Sequence, residues 1–476
     1  MELAKKYNVY INEQPAHLEK IRVSLYPFNR HWPGFQRPLN QTEVTAFVSF
    51  DLTGETRITV ECEFDFEEVI IRPLSLNIQP EINGKTVTFT IKKPCQTVVE
   101  FDGTFGALHL FANPPEKCEI PAENVLYFGK GEHDVGTINL QSGQTVYIDE
   151  GATVYGQIYG IDVENVKILG KGILDHSKIE AENIAKGTDN LDPVRPSPIQ
   201  IEYSKNIVIK DIIIRDPCFL ALRPIASENV HIDNIKIIGN WRYNSDGIDV
   251  LNCRHALIEN CFVRSFDDSY CIKGFYAPLY DPKQDHRNGK VYDIGEDVIF
   301  RNCVAFNEWG KAFEVGVDLC ATEVRNCRFE NCDVIHAVAP ALEVCNVDYS
   351  YVHDIVFDNI RVEYSKTSPK PIIQETEDQV YTGLNTDYMP PLMAAEVAYS
   401  DCYSSKGERG RVANITFNNI QVTAPRMPVS IFGGFDAEHG VKNVTVSNLY
   451  LNGQKIEDMK DANFEIRAFA ENITLE

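Results

Sequence analysis

A short phrase recurs along most of the sequence: a polar residue, an apolar-x-apolar strand, then Asn, Asp or Gly, then a second apolar-x-apolar strand. It reads NVKILGKGIL from Asn165, NIVIKDIIIR from Asn206, NVHIDNIKII from Asn229 and HALIENCFVR from His255. It returns as DVIFRNCVAF from Asp297, TEVRNCRFEN from Thr322, HDIVFDNIRV from His353, ANITFNNIQV from Ala413 and KNVTVSNLYL from Lys442. One equivalent apolar residue from each gives Ile168, Ile209, Ile232, Ile258, Phe300, Val324, Phe357, Phe417 and Val446, at spacings of 23 to 60 residues. The shorter spacings are one coil, and the longer ones are a coil carrying an inserted loop. Short strands at this period, with almost no helical periodicity, predict an all-β fold: a right-handed, single-stranded parallel β-helix. A leucine-rich repeat would carry its own L-x-x-L-x-L signature, and a propeller blade needs about 40–45 residues.

Ahead of the repeat, six β-type runs lie between Glu43 and Phe111, separated by Gly54, Pro73, Asn83-Gly84, Pro94 and Asp102-Gly103. Short strands at roughly ten-residue spacing predict a small antiparallel sandwich. Pro114-Pro115 and Pro121 mark a boundary, so residues 1–118 are expected as the sandwich and 119–476 as the β-helix.

Lys+Arg 45 against Asp+Glu 69 leaves a net charge of −24. Such a field repels polyanions, so neither nucleic acid nor an anionic membrane is expected as a partner. No apolar run follows the first lysines and none is long enough to span a bilayer. The 13 cysteines are odd in number and scattered, which fits reduced thiols in the cytoplasm, or a secreted protein if a leader has been removed. Cys261, Cys303 and Cys327 each lie three residues after the reference apolar position and read as an internal ladder. With no C-x-x-C or Cys/His spacing, no metal and no cofactor is expected.

Three carboxylates stand out between Asn244 and Gly274. Asp246 precedes the adjacent pair Asp267-Asp268 by 21 and 22 residues, close to one coil. Coils stack ~4.8 Å apart, which puts the three on one face. Like charges that close cannot all ionise, so at least one holds a proton near neutral pH. A protonated carboxyl beside ionised ones is what general acid–base chemistry requires. Strand neighbours face opposite ways, so the adjacent pair needs a corner or bulge to aim both groups together. Solvated turns such as Glu296-Asp297 and Glu377-Asp378 receive no role.

The segment resembles glycoside hydrolase family 28, the polygalacturonase family, within the pectin-lyase-like β-helix superfamily. Bacterial members carry N-T-D-G-I-D and, a coil later, G-D-D-x-I-A-I-K-S-G. Here these stand as Asn244-Ser245-Asp246-Gly247-Ile248-Asp249 and Asp267-Asp268-Ser269-Tyr270-Cys271-Ile272-Lys273-Gly274. The repeat extends the resemblance over about residues 122–455. It implies hydrolysis with inversion: Asp267 protonates the glycosidic oxygen while Asp246 and Asp268 activate water on the opposite face, with carboxyls ~6.5–9.5 Å apart. It further implies that Asn244 helps to orient the site, and that Lys273 contacts substrate or holds a carboxylate ionised.

Two stretches depart from the family pattern. NEWGKAFEVG from Asn307 places Trp309-Gly310 where a G-H-G histidine supports the catalytic aspartate. APALEVCN from Ala339 places Glu343-Val344-Cys345 where R-I-K holds the galacturonate carboxylate. A partly buried anion in place of a cation repels a uronate by about a few kcal/mol. The substrate is therefore expected to be an oligo- or polysaccharide of neutral or unusual sugars, as in dextranase-like relatives of family 49 that also use three aspartates. Alternatives are a galacturonide held through Arg223 or Lys273, a polysaccharide lyase, and a non-catalytic carbohydrate-binding solenoid. No nucleophile elbow accompanies His336, which sets serine hydrolase chemistry aside.

Trp241 and Trp309 are candidates to stack on sugar, with Tyr243, Phe275 and Tyr276 behind them. Arg223 is placed to reach in from the coil below, and Glu314 and His336 to stand at the rim. The insertion from Ser365 to Gly410 is read as a wall favouring exo action. The sequence leaves room for a homo-oligomer.

Overall fold

A strand buried on one face and turned sharply at each end needs a residue that tolerates the left-handed conformation, and asparagine does so at small cost. Asn165, Asn206, Asn229, Asn302, Asn331 and Asn359 all have φ between 52° and 57°. In the computed structural model these corners stack. The Asn206 side-chain amide donates to Asn165 at 2.9 Å and Asn229 to Asn206 at 3.0 Å, while Asn302, Asn331 and Asn359 form a second ladder at 2.7 and 3.0 Å. The structure describes all residues except 31–36, 117, 121–122, 180–196, 275–292, 366–367, 402 and 405–406. Phe275 and Tyr276, named above as sugar-stacking candidates, lie outside the described residues.

Among the described residues the strands from Val125 onward, Ile372–Ile373 apart, form one 30-stranded sheet, most of them paired in parallel with the strand two or three places along, so each coil contributes about three strands to a right-handed β-helix. The reference column is continuous in register: Ile168, Ile209, Ile232, Ile258, Phe300, Phe329, Phe357, Phe417 and Val446. Phe329 stands where the repeat reading put Val324. The strand Glu323–Glu330 runs longer than the TEVRNCRFEN phrase suggests, and its inward position falls five residues later. The same shift moves the cysteine ladder to Cys261, Cys303 and Cys332, with the Cys303 N–H 3.4 Å from Cys332 Sγ. Cys327 instead stacks under Ile355.

Four phenylalanines fill the centre of the later coils. Phe300, Phe329, Phe357 and Phe417 stack with centroids 5.2, 4.7 and 4.9 Å apart and planes within 9° of parallel. All four are fully buried.

The chain divides into two units: Met1–Tyr26 with Arg37–Glu119, and Pro27–Gln36 with Ile120–Glu476. Pro27–Gln36 therefore goes with the solenoid rather than with residues 1–118, because Phe28 and Asn29 pair in parallel with Ile372 and Ile373 of the insertion. The first unit is two five-stranded sheets, with Val9, Ile58, Val60 and Phe89 from one meeting Val48, Val99, Phe101 and Leu110 from the other. Its pairings are antiparallel except for Leu108–Asn113 on Thr42–Asp51. No helix among the described residues is long and apolar enough to cross a membrane.

If the aromatic column bears the stacking, Phe329→Ala opens a cavity between two rings with no room to collapse. The expected cost is about 3–5 kcal/mol, read as a lowered denaturant midpoint.

Candidate active site

Asp267 and Asp268 occupy the corner between strands Phe262–Ser265 and Tyr270–Gly274. A corner was required to aim adjacent side chains together, and its hydrogen bonds show how it is held. The Asp267 carbonyl accepts from Ser265 Oγ at 2.7 Å and from Asn307 Nδ2 at 2.8 Å. Asn307 also donates to the Lys311 carbonyl, and the Gly310 N–H donates to the Phe266 carbonyl. One coil earlier, Asp246 sits in the turn before strand Ile248–Leu251, its carbonyl held by Asn240 Nδ2 at 2.9 Å. The Gly247 N–H donates to the Asp268 carbonyl at 2.8 Å, which stitches the two coils together at the acids.

The side chains meet on one ammonium. Lys273 Nζ lies 2.9 Å from Asp246, 3.2 Å from Asp249 and 3.3 Å from Asp268. The two aspartates from successive coils are therefore no farther apart than two ion-pair lengths, and Asp267 and Asp268 both reach within 2.6 Å of one point at Gly310. These carboxyls lie closer than the ~6.5–9.5 Å that the resemblance implied, because one ammonium and one tight corner draw them together. A second ammonium, Lys311, lies 3.2 Å from Glu314 and 3.5 Å from Glu343, and its backbone N–H donates to Asp268 at 3.1 Å.

Six carboxyls against two lysines leave too few cations for every acid to ionise, and burial decides which keep protons. Burial raises Asp267 well above the ordinary range, and the charges of Asp246 and Asp268 push it further. Asp249 is likewise raised well by burial, which Lys273 opposes and Asp246 reinforces. Asp246 is raised by burial against the pull of Lys273. Asp268 goes the other way: burial would raise it, but Lys311, Lys273 and hydrogen bonds from Glu314 and the Lys311 N–H bring it down to about 2. The site thus sets Asp267, half-buried and favouring its proton, beside Asp268, which favours its charge.

The other expected residues divide. Lys273, Glu314 and Glu343 join the aspartates. Glu314 is not at a rim; it is fully buried, one coil on from Asp268. Asn244 turns the chain with φ 53°, while the amide that holds the turn is Asn240. Trp241 is 5% exposed and donates its indole N–H to Asp216 at 3.0 Å, so its ring has no open face to offer a sugar. Trp309 stacks on Phe266 at 6.0 Å in a row with Tyr243, and the residue that touches the acid pair is Lys311 two places on. Arg223 is buried in the coil below, its guanidinium 5.4 Å from the Phe219 ring. His336 packs on Phe306 at 4.4 Å, in register with it rather than with the aspartates.

Sequence reasoning missed Asp249, Lys311, Asn307 and Asp318. Asp249 stood inside the first motif, and alternation with inward Ile248 and Val250 was the available signal. Asp318, raised to about 6 by burial and by Asp348, Asp268 and Asp246, carries no such signal.

Asp268, Cys271 and Glu314 bring one ligand atom each within 4.8 Å. A divalent cation there would face Lys273 and Lys311, and burial holds the Cys271 thiol protonated. The trio fits an ion-pair and proton network better than a metal.

Gly310 is fixed by contact. A Cβ there would lie 2.5 Å from Asp268 N and Oδ1 and 2.6 Å from Asp267 Oδ1. Gly310→Ala is expected to displace the pair and slow any reaction it runs by about 100-fold, with a smaller change in thermal melting.

Known proteins can be set beside this geometry. The family model described as glycosyl hydrolases family 28 matches residues 117–277, which hold Asp246, Asp249, Asp267 and Asp268. The chain is 30% identical over 101 residues, 19% of its length and 23% of the relative's, to "Putative galacturan 1,4-alpha-galacturonidase A" of Aspergillus niger. It is 32% identical over 80 residues, 17% of its length and 16% of the relative's, to "Probable polygalacturonase" of Vitis vinifera. It therefore spans less than a quarter of the length of these curated relatives. Among solved structures, Dex49A from Penicillium minioluteum superposes with a TM-score of 0.64 at 12% identity, covering 100% of this chain and 94% of that one, a likeness of fold. With the motifs, the matched segment and the solenoid in agreement, residues 117–277 match the model of glycosyl hydrolases family 28, and this β-helix resembles the polygalacturonases.

Proposed function

We propose that the protein hydrolyses O-glycosidic bonds with inversion at the anomeric carbon. One observation carries the reading: Asp246 and Asp268, from successive coils, share Lys273, while Asp267 stands half-buried on the same corner, its carboxyl raised well above the ordinary range by burial and by the charges of Asp246 and Asp268. Asp267 gives its proton to the leaving glycosidic oxygen. A water attacks the anomeric carbon from the opposite face, and its proton passes to the carboxylate of Asp268 or Asp246. Activity then falls as pH rises and Asp267 loses its proton, and falls at low pH as Asp246, the higher of the two bases, gains one.

For the sugar, the names of the sequence relatives support a galacturonide, in preference to the neutral sugar expected from the sequence. The second reading, a neutral or unusual sugar, keeps one observation in its favour. Lys273 faces three carboxyls and Lys311 faces Glu314 and Glu343, so each cation beside the aspartates already has anionic partners. The insertion brings Tyr403 near enough for the charge of Asp267 to raise its phenol, which supports a wall at one end and exo action.

The test is a panel of galacturonide and neutral oligosaccharides, with reducing ends counted and the product anomer followed by NMR. Hydrolysis of galacturonides with inversion, and a loss of at least ~100-fold in Asp267→Asn, is expected. Turnover confined to neutral sugars would favour the second reading. A retained anomer, an unsaturated product, or an Asp267→Asn variant as active as wild type would overturn the mechanism.

A further inference from the structure

Glu314 lies beside the reacting carboxyls yet is fully buried, so it cannot touch a sugar. Its strand, Phe313–Leu319, places it in register between Cys271 below and Glu343 above. The groups facing it come from every neighbouring element. Cys271 Sγ donates to its Oε2 at 3.3 Å, and Lys311 Nζ lies 3.2 Å from its Oε1. Glu343 shares that lysine from the next coil, and Asp268 approaches from the acidic corner, within the 4.8 Å that spans Asp268, Cys271 and Glu314.

Two carboxyls that close in a dry site cannot both be anions, because the mutual repulsion adds to the desolvation of each. One must keep a proton, and the surroundings decide which. Asp268 has the Lys311 backbone N–H at 3.1 Å and Lys273 at 3.3 Å, so its charged form is the better supported. Glu314 has a thiol and a lysine shared with Glu343. Burial, with the charge of Asp268, raises it well above the ordinary range.

We propose that Glu314 is a positioning residue: a permanently neutral acid that donates a hydrogen bond to Asp268 and so keeps that residue ionised and aimed as a water-activating base. Glu314 takes no part in proton transfer to or from substrate. It replaces one of the solvent hydrogen bonds that a carboxylate loses when its site is closed to water. The inference rests on the hydrolytic reading above, and it goes beyond that reading in assigning the proton of a residue that never meets the sugar.

The experiment compares Glu314→Gln with Glu314→Leu on whichever oligosaccharide the wild type cleaves. The amide of Gln still donates to Asp268, so its rate is expected within about 3-fold of wild type with the acid limb of the pH profile unmoved. Leucine removes the donor and destabilises ionised Asp268. The kcat is then expected to fall at least ~10-fold with KM little changed, and the Asp268 carboxyl, followed by carbon-13 NMR, to titrate about one pH unit higher than in wild type, still below the acid limb that Asp246 sets. Infrared spectra at neutral pH supply a readout that needs no turnover, since one protonated-carboxyl band present in wild type should be missing from Glu314→Gln. Equal behaviour of Gln and Leu, an Asp268 carboxyl that titrates in the Leu variant as in wild type, or an unchanged carboxyl band overturns the inference. If the wild type cleaves nothing, the hydrolytic reading fails, and the infrared comparison still decides the protonation of Glu314.

Discussion

Parallel register is the constraint on which the rest depends. Each coil must hydrogen-bond the one beneath it strand for strand, so a residue's place along one coil fixes its neighbours in the coils above and below. The columns of Ile, then Phe, and the asparagine corners are the visible result. The same constraint delivers Asp246 to the neighbourhood of Asp267 and Asp268, although the three share no strand. No hinge or separate domain is needed to assemble the site; the rise of the solenoid does it.

What the columns bring together, electrostatics then sorts. Asp246, Asp249, Asp267, Asp268, Glu314 and Glu343 surround Lys273 and Lys311 in a largely buried cluster. A fully ionised cluster of this kind would be prohibitively costly, so protons take the place of missing cations. Asp268, with two lysines near it and two hydrogen bonds onto it, keeps its charge; Asp267, with fewer partners and more repulsion, keeps a proton. The division of labour between acid and base follows from this unequal support rather than from any difference in residue type.

Much of this was legible in the sequence. The repeat revealed the solenoid because inward positions must be apolar in every coil, and the coil-length spacing of Asp246 from the pair revealed the shared face. The reading slipped where local pattern and tertiary register diverge. Val324 looked equivalent to Phe300 until the longer strand put Phe329 there. Trp241 offered a ring of the right kind, but its burial against Asp216 is settled by a neighbour far along the chain. Lys311 was hidden because its importance lies in a backbone N–H and in an ammonium reaching two glutamates, neither of which leaves a motif. Glu314 was seen as a candidate and misplaced, since a sequence does not distinguish an acid at the mouth of a site from one beneath it.

The central claim is that two adjacent aspartates on one corner differ in protonation because their supports differ. Carbon-13 NMR of labelled Asp side chains, followed through a pH titration, tests it most directly. The account predicts that Asp267 remains protonated well above the usual carboxylate range while Asp268 stays ionised down to about 2. Two aspartates titrating together near the ordinary value of ~3.9 would contradict it.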